Sequence, residues 1–158
     1  MPSHPDLRLD RQICFALYNA SRAVTQAYVP LLAPLGLTYP QYLVMLVLWE
    51  EDGASVKELG QRLSLDSGTL TPLLKRLEEA KLVSRTRSEE DERVVRIALT
   101  AAGKKLERKA ADIPSALACR MGVEPSREGL KQIAELRDAV KQLTRAFDAS
   151  EKPTRSKR

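Results

Sequence analysis

SVKELGQRLSLDSGTLTPLLKRLEEAKLVSRTRSEEDERVVRIALT, residues Ser55–Thr100, is the stretch whose reading decides the fold. Ser55-Val56-Lys57-Glu58 is a capping box, in which the serine and glutamate side chains bond backbone N–H groups that the first helical turn leaves free. It predicts a short helix carrying Leu59 and Leu63. Ser64-Leu65 makes a tight connection. Asp66 then caps a second helix with Leu70, Leu73, Leu74 and Leu77 on its core face, and Lys81 ends it. Two alternating stretches follow, Leu82–Arg87 and Arg93–Leu99, separated by the charged segment Ser88-Glu89-Glu90-Asp91-Glu92, and they read as a β-hairpin. Helix, tight turn, helix, hairpin is the order of a winged helix-turn-helix, whose second helix enters the major groove of DNA.

At about 100° per residue, the core leucines of that second helix leave Gly68, Thr71, Pro72, Lys75 and Glu79 on the opposite face, flanked by Ser67, Thr69 and Arg76. Small residues near the helix start allow close approach to base edges. Hydroxyls can meet bases or phosphates, and Lys75 and Arg76 suit phosphates. Pro72 crowds the carbonyl of Gly68, close to the helix start, where the strain is modest. The hairpin brings Arg85, Arg87, Arg93 and Arg96 near its two strands, and an arginine at a wing tip can enter a narrow minor groove. Periodicity alone also fits a second description, an ordinary helical domain with a solvated hairpin whose charges are nearly balanced.

Outward from this segment the chain is helical. Residues 7–35 predict a long helix with Ile13, Leu17, Ala20, Val24, Ala27, Leu31 and Leu35 recurring on one side. Pro30 and Pro34 kink or end it, and Gly36 stops it. So long a stripe suggests an interface. Thr38-Tyr39-Pro40-Gln41 opens another capping box, Leu43–Trp49 is apolar all round as in a buried helix, and Asp52-Gly53 ends that helix. Thr100 caps a helix to about Gly122 carrying Leu106, Ala110, Ile113, Leu117 and Met121, bent at Pro114. Residues 125–149 form a last helix with Leu130, Ile133, Val140, Leu143 and Phe147.

Bulk properties bound the function. The 158 residues suit one domain, and no apolar run approaches the length of a membrane span. With no apolar signal core at the start, a cytoplasmic protein with no membrane role is expected. The net charge is +5, but Lys152, Arg155, Lys157 and Arg158 against Glu151 put +3 of it in the segment 150–158, which reads as a basic disordered tail. Charge by itself therefore does not argue for nucleic acid. His4 is the single histidine, and the two cysteines, Cys14 and Cys119, lie far apart. No metal, cofactor or catalytic triad is expected, and in a cytosolic protein a transient redox bridge is more reasonable than a permanent disulfide.

Cys14 has a suggestive neighbourhood. A free helical cysteine is ordinarily an inert small hydrophobe. Yet the four tyrosines fall at 18, 28, 39 and 42 in a chain otherwise poor in aromatics. Tyr18 lies one turn after Cys14 on the same face, and a tyrosine hydroxyl can donate to a thiolate. Arg11, one turn before, adds positive charge. With the helix beginning near residue 7, Cys14 lies beyond its first turn and the macrodipole adds little. Tyr28 is 14 residues on, about 21 Å along a straight helix, so a Tyr28 that serves Cys14 comes from a second subunit. The competing description is that the tyrosines fill the core.

A family resemblance adds to this. Asp91-Glu92-Arg93-Val94-Val95-Arg96-Ile97-Ala98-Leu99-Thr100 resembles the wing signature of the MarR family, in which Asp, one residue, Arg, five residues and Leu-Thr follow in order. The segment Leu65–Glu78 is similar to the recognition helix of its organic-hydroperoxide-sensing branch, the OhrR repressors. Leu9-Asp10-Arg11-Gln12-Ile13-Cys14-Phe15-Ala16-Leu17-Tyr18 and Leu37-Thr38-Tyr39-Pro40-Gln41-Tyr42 are similar to that branch's sensing segments, and the similarity covers about residues 7–149. The resemblance implies that Asp91 orients Arg93 at the wing tip. It also implies that Tyr28 and Tyr39 bond the Cys14 thiolate from across a dimer, and that Cys119 is the resolving cysteine of the two-cysteine class.

The combined expectation is a mainly α protein with a small β wing. It comprises a single domain over 1–149, with a winged helix at 40–100, dimerisation helices at 7–35 and 100–149, and the tail beyond. As a homodimer it represses from a pseudo-palindromic double-stranded operator, contacted through Ser67, Gly68, Thr69, Thr71, Lys75, Arg76, Arg85, Arg87, Asp91 and Arg93. An organic hydroperoxide induces by oxidising Cys14, which then bridges to Cys119 of the other subunit. The rivals are a MarR-type repressor of a small phenolic ligand, with Cys14 inert, and a thiol peroxidase, which would have no use for a recognition helix.

Overall fold

Side-chain caps and left-handed turn residues set most element boundaries in the computed structural model, which describes residues 4–88, 91, 93–124 and 126–150. The helices are α1 (Ile13–Leu32), α2 (Tyr39–Glu50), α3 (Val56–Leu63), α4 (Ser67–Glu79), α5 (Ala101–Ala110), α6 (Ile113–Arg120) and α7 (Arg127–Ser150), and β1 (Val83–Arg87) and β2 (Val95–Leu99) lie between α4 and α5. Thr38 with Gln41 and Ser55 with Glu58 form the capping boxes of α2 and α3, while Asp66 and Thr100 cap α4 and α5. Ser64 (φ 53°) and Lys81 (φ 59°) take the left-handed conformation that turns the chain after α3 and α4. Gly60 sits where α3 meets the next turn; a Cβ there would lie 2.8 Å from the Leu65 carbonyl oxygen.

The strands pair antiparallel from Val83↔Leu99 to Arg87↔Val95. A further bridge, Ser55↔Arg96, and the bond from Ile97 N–H to the Ala54 carbonyl (2.9 Å) fasten the hairpin to the start of α3. One core joins these pieces: Val44, Met45 and Leu48 of α2, Leu59 of α3, Leu70, Leu74 and Leu77 of α4, Val83 and Ile97 of the hairpin. Leu73, expected among them, is half-buried. The alternating and 3.6-residue patterns of the sequence thus converge on a mainly α winged helix-turn-helix with a two-stranded wing.

The flanking helices depart from expectation in two places. Helix α1 starts at Ile13 rather than near residue 7, because Leu9–Arg11 forms a separate 3-10 turn. Local contacts hold that turn: the Gln12 amide donates to the Asp6 carbonyl (2.6 Å), and Arg8 pairs with Asp10 (2.7 Å). At its other end Pro30 is carried inside the helix, and Ala33–Leu35 tightens into a 3-10 turn before Gly36 (φ 67°). The helix expected from Thr100 to Gly122 is broken after Ala110. Pro114 has no N–H for the Ala110 carbonyl and its ring crowds it, so the chain restarts at Ile113 with the proline in the new first turn.

The structure divides into two compact units, one ending at Leu117 and one beginning at Ala118. In the first, α1 buries only Leu32 and leaves Ile13, Tyr18 and Val29 exposed. In the second, α7 exposes Leu130, Leu136, Val140 and Phe147. Among the described residues no single helix is long and apolar enough to cross a membrane. Of the tail expected at 150–158, Ser150 ends α7 and residues 151–158 lie outside the described residues, as do Glu89, Glu90 and Glu92 of the hairpin loop.

Candidate functional site

Helix α4 presents Ser67, Gly68, Thr69, Thr71, Lys75 and Arg76 on its exposed face, opposite the buried Leu70, Leu74 and Leu77. Its first turn is held by Asp66, whose carboxylate accepts from Thr69 N–H (2.9 Å) and Thr69 Oγ1 (2.9 Å). Those bonds, the backbone one first, lower the Asp66 carboxyl below its ordinary value. Thr71 Oγ1 donates to the Ser67 carbonyl (2.7 Å). Both threonine hydroxyl protons are thus committed within the helix, and each oxygen faces outward as an acceptor, suited to exocyclic amino groups of bases rather than to phosphates. Lys75 is loosely paired with Glu79 (3.9 Å), an exposed contact that a phosphate can outcompete.

In the wing, the Asp91 carboxylate accepts from the backbone N–H of Arg93 (3.0 Å), and its carbonyl accepts from Val94 N–H (2.9 Å). Asp91 therefore shapes the backbone that carries Arg93, and both residues are exposed. Arg87 ends β1 and is also exposed. Half-buried Arg85 and exposed Arg96 are engaged by partners within the chain. Arg85 Nε meets Glu78 Oε2 at 3.3 Å, and its Nη2 donates to the Thr71 carbonyl (3.3 Å). Arg96 Nη1 donates to the Gly53 carbonyl (3.1 Å). Between α3, α4 and the wing lies a groove of about 900 Å³ whose polar lining includes Lys57, Gln61, Ser64, Thr71 and Arg93. Lys57 and Gln61 were missed from sequence. Their i, i+4 spacing on the face away from Leu59 was the available signal.

Cys14 is exposed and is the second residue of α1, inside the first turn, which corrects the expectation that it lies beyond it. Gln12 provides no side-chain cap, and the first amide to bond back is Ala16 N–H to the Gln12 carbonyl (3.2 Å). Tyr18, one turn on, is exposed with the Arg22 guanidinium 5.5 Å from its ring centre. Tyr28 and Tyr39 are together but away from Cys14. Their rings are 4.6 Å apart, with Tyr42 5.7 Å from Tyr28. Burial first, and then the neighbouring phenols, pushes Tyr28 up to about 12, and burial raises Tyr39 and Tyr42 as well. All three therefore remain hydroxyl donors well into alkaline pH. Because Cys14 and Tyr28 share one uninterrupted helix, about 21 Å of rise separates them within a chain. Cys119 is exposed in the second unit. Among the described residues no cluster of three His, Cys, Asp or Glu side chains is placed to hold a metal ion.

The sequence profile described as "Transcriptional regulator SarA/Rot" matches residues 26–110. The organic hydroperoxide resistance transcriptional regulator of Bacillus subtilis (strain 168) is 52% identical over 128 residues, 80% of this chain and 85% of that protein. This chain belongs to the MarR-type transcriptional regulators, in the organic hydroperoxide resistance branch. The structure of reduced AbfR bound to DNA shares 38% identity with the regulator, covers 87% of this chain and 95% of its own, and superposes with a TM-score of 0.68. The disulfide form of AbfR shares 38% identity, covers 88% and 94%, and gives a TM-score of 0.62. The relatives are regulators, and this chain is a regulator rather than an enzyme, which removes the peroxidase rival.

Proposed function

We propose that the regulator is a cytoplasmic homodimeric repressor that binds a pseudo-palindromic operator when reduced and releases it when an organic hydroperoxide oxidises Cys14. The observation that carries this reading is an exposed cysteine in the first turn of α1, in a chain that also presents an intact reading face on α4. The exposed apolar residues of α1 and α7 supply the dimer surface on this reading. AbfR, solved both reduced on DNA and in a disulfide form, shows that a related fold accommodates both states.

The chemistry is a two-electron oxidation. The Cys14 thiolate attacks one peroxide oxygen, an S–O bond forms, the O–O bond breaks, and the other oxygen leaves as an alcohol after taking a proton. The sulfenic acid then condenses with the thiol of Cys119 from the partner subunit, forming an S–S bond and releasing water. Tyr28 and Tyr39 of the partner, with Tyr18 of the same chain, donate hydrogen bonds to the thiolate. On the DNA side, Ser67, Gly68, Thr69 and Thr71 face bases, Lys75, Arg76 and Arg87 face phosphates, and Arg93, on the turn that Asp91 shapes, enters the minor groove.

The test combines cumene hydroperoxide treatment, non-reducing electrophoresis and DNA binding for wild type, Cys14→Ser and Cys119→Ser. A thiol-reversible dimer-sized band, with loss of DNA binding, is expected in wild type only. Release of DNA by oxidised Cys14→Ser would refute the sensor assignment.

A further inference from the structure

We infer that Arg85 is a positioning residue that locks the recognition helix to the wing, with Glu78 as its counter-charge, rather than a DNA contact. Its side chain is 30% exposed and that of Glu78 is 42% exposed. The Nε atom is sealed from solvent and has no aligned hydrogen-bond acceptor; what it meets is the charge of Glu78 at 3.3 Å. Nη2 reaches the carbonyl of Thr71, seven residues earlier in α4. One guanidinium therefore spans two turns of the recognition helix from the middle of β1.

The placement matters because the two reading elements must address different grooves at once. Ser67–Arg76 lies on α4, whereas Arg87 and Arg93 lie on the hairpin, and between them the chain passes through Ala80, Lys81 and Leu82. A rotation of the hairpin against α4 would displace the wing tip relative to the major-groove face. A planar, multi-donor cation fixed at both Glu78 and Thr71 resists that rotation, which a single flexible ammonium would not. Glu78 is the informative partner. It is an acid beside a DNA-facing surface, so simple electrostatics says that neutralising it improves binding. The lock says the reverse for the chosen sequence.

This inference rests on the DNA-binding reading, and the experiment separates the two. A duplex selected from a random library by the wild-type protein, and a random duplex, are titrated against wild type, Arg85→Ala, Arg85→Lys, Glu78→Gln, the double variant Arg85→Lys/Glu78→Gln and Arg93→Ala, over a range of salt. The lock predicts that Glu78→Gln and Arg85→Lys each lower the ratio of selected to random affinity about three- to tenfold, and that the double variant is no worse than either. Random-duplex affinity of Glu78→Gln is unchanged or higher. The salt slope of Arg85→Ala matches wild type, whereas that of Arg93→Ala falls by about one. A slope reduced by about one in Arg85→Ala, an unchanged or improved ratio in Glu78→Gln, or additive losses in the double variant overturns the inference while leaving the DNA reading intact. Wild type with no salt-dependent preference for any duplex overturns the DNA reading itself. Arg85→Lys and Glu78→Gln keep the charge or the size of the side chain, so the question is answered even where Arg85→Ala does not fold.

Discussion

Replacing Asp52 tests how the wing is held to the rest of the first unit. Asp52 follows α2; its Oδ1 accepts from the N–H of Leu99 at the end of β2 (2.7 Å), and its Oδ2 pairs with Lys104 Nζ on α5 (3.0 Å). A hydrogen bond to an ionised acceptor contributes about 1.5–3 kcal/mol. The Asp52 side chain is 37% exposed and that of Lys104 61%, so water replaces part of the lost bond and the ion pair adds at most about 1 kcal/mol. Asp52→Ala should therefore cost about 1.5–2.5 kcal/mol, and Asp52→Asn, which keeps an acceptor for Leu99, less than about 1 kcal/mol. At about 2–4 °C per kcal/mol for a chain of this size, Tm falls by about 3–10 °C and at most about 4 °C respectively, measured at one fixed protomer concentration. The pH dependence is a second readout. Burial raises the Asp52 carboxyl, but the bonds from Leu99, Lys104 and Gly53 outweigh it, and the net value lies below its ordinary 3.8. Its contribution is complete above 3.8 and is lost as pH falls through the lower folded value, so the gap between wild type and Asp52→Asn closes in acid. Asp52→Ala within about 0.5 kcal/mol of wild type, Asp52→Asn as damaging as Asp52→Ala, or a gap that does not shrink in acid would each refute the reasoning.

Two further perturbations probe the packing around α5 and the tyrosine cluster. Gly103→Ala adds a Cβ that falls on the Leu82 carbonyl oxygen, which is held in place by Thr100 N–H (3.1 Å) and Thr100 Oγ1 (3.2 Å). Helix propensity favours alanine by about 1 kcal/mol, yet the clash should dominate and give a net loss of at least about 2 kcal/mol in urea unfolding; a stabilised variant would show the approach to be looser than described. Tyr28→Phe should remove the last step of phenolate absorbance in an alkaline titration, near pH 12, and stability should fall as pH rises from 10 toward 12 in wild type but less so in the variant; an unchanged final step would mean that Tyr28 is not the buried phenol.

The helix-turn-helix was legible because its information is local. Ser55 with Glu58, Asp66 with Thr69, and Thr100 with Gly103 are each three residues apart, and each cap formed where the spacing placed it. What was not legible depends on competition or on distance. The apolar stripe through Ile13 continues smoothly toward the N-terminus, but Arg8, Asp10 and Gln12 satisfy one another and nearby carbonyls in a 3-10 turn, so the helix starts six residues late and Cys14 moves into its first turn. The stripe through Ala110, Ile113 and Leu117 hid the break that Pro114 imposes, because the restart at Ile113 preserves the apolar side. Arg85 read as one more arginine on an alternating strand. Alternation gives the side of the strand, and only the fold shows that Glu78 and Thr71 cover that side.

On the proposed function, the arrangement also constrains how an oxidation at Cys14 acts on DNA. Helix α1 runs unbroken from Ile13 to Leu32, uncovered over its first turns and anchored at its end by Leu32, Leu37 and the ring contacts of Tyr28 with Tyr39 and Tyr42. Helix α2, where those rings lie, shares a single core with Leu59, Leu70, Leu74, Leu77 and Ile97. Interiors packed in this way transmit displacement rather than absorb it. Under that function, a pull on the start of α1 reaches α4 through this core as a movement of the winged unit, leaving in place the caps that Asp66 and Ser55 form. On the proposed reading, control then resides in the separation of two unchanged reading heads, a quantity that one protomer does not possess. The same holds, on that reading, at Cys14, which sits about 21 Å from Tyr28 on one helix, so that the two can meet only across two chains.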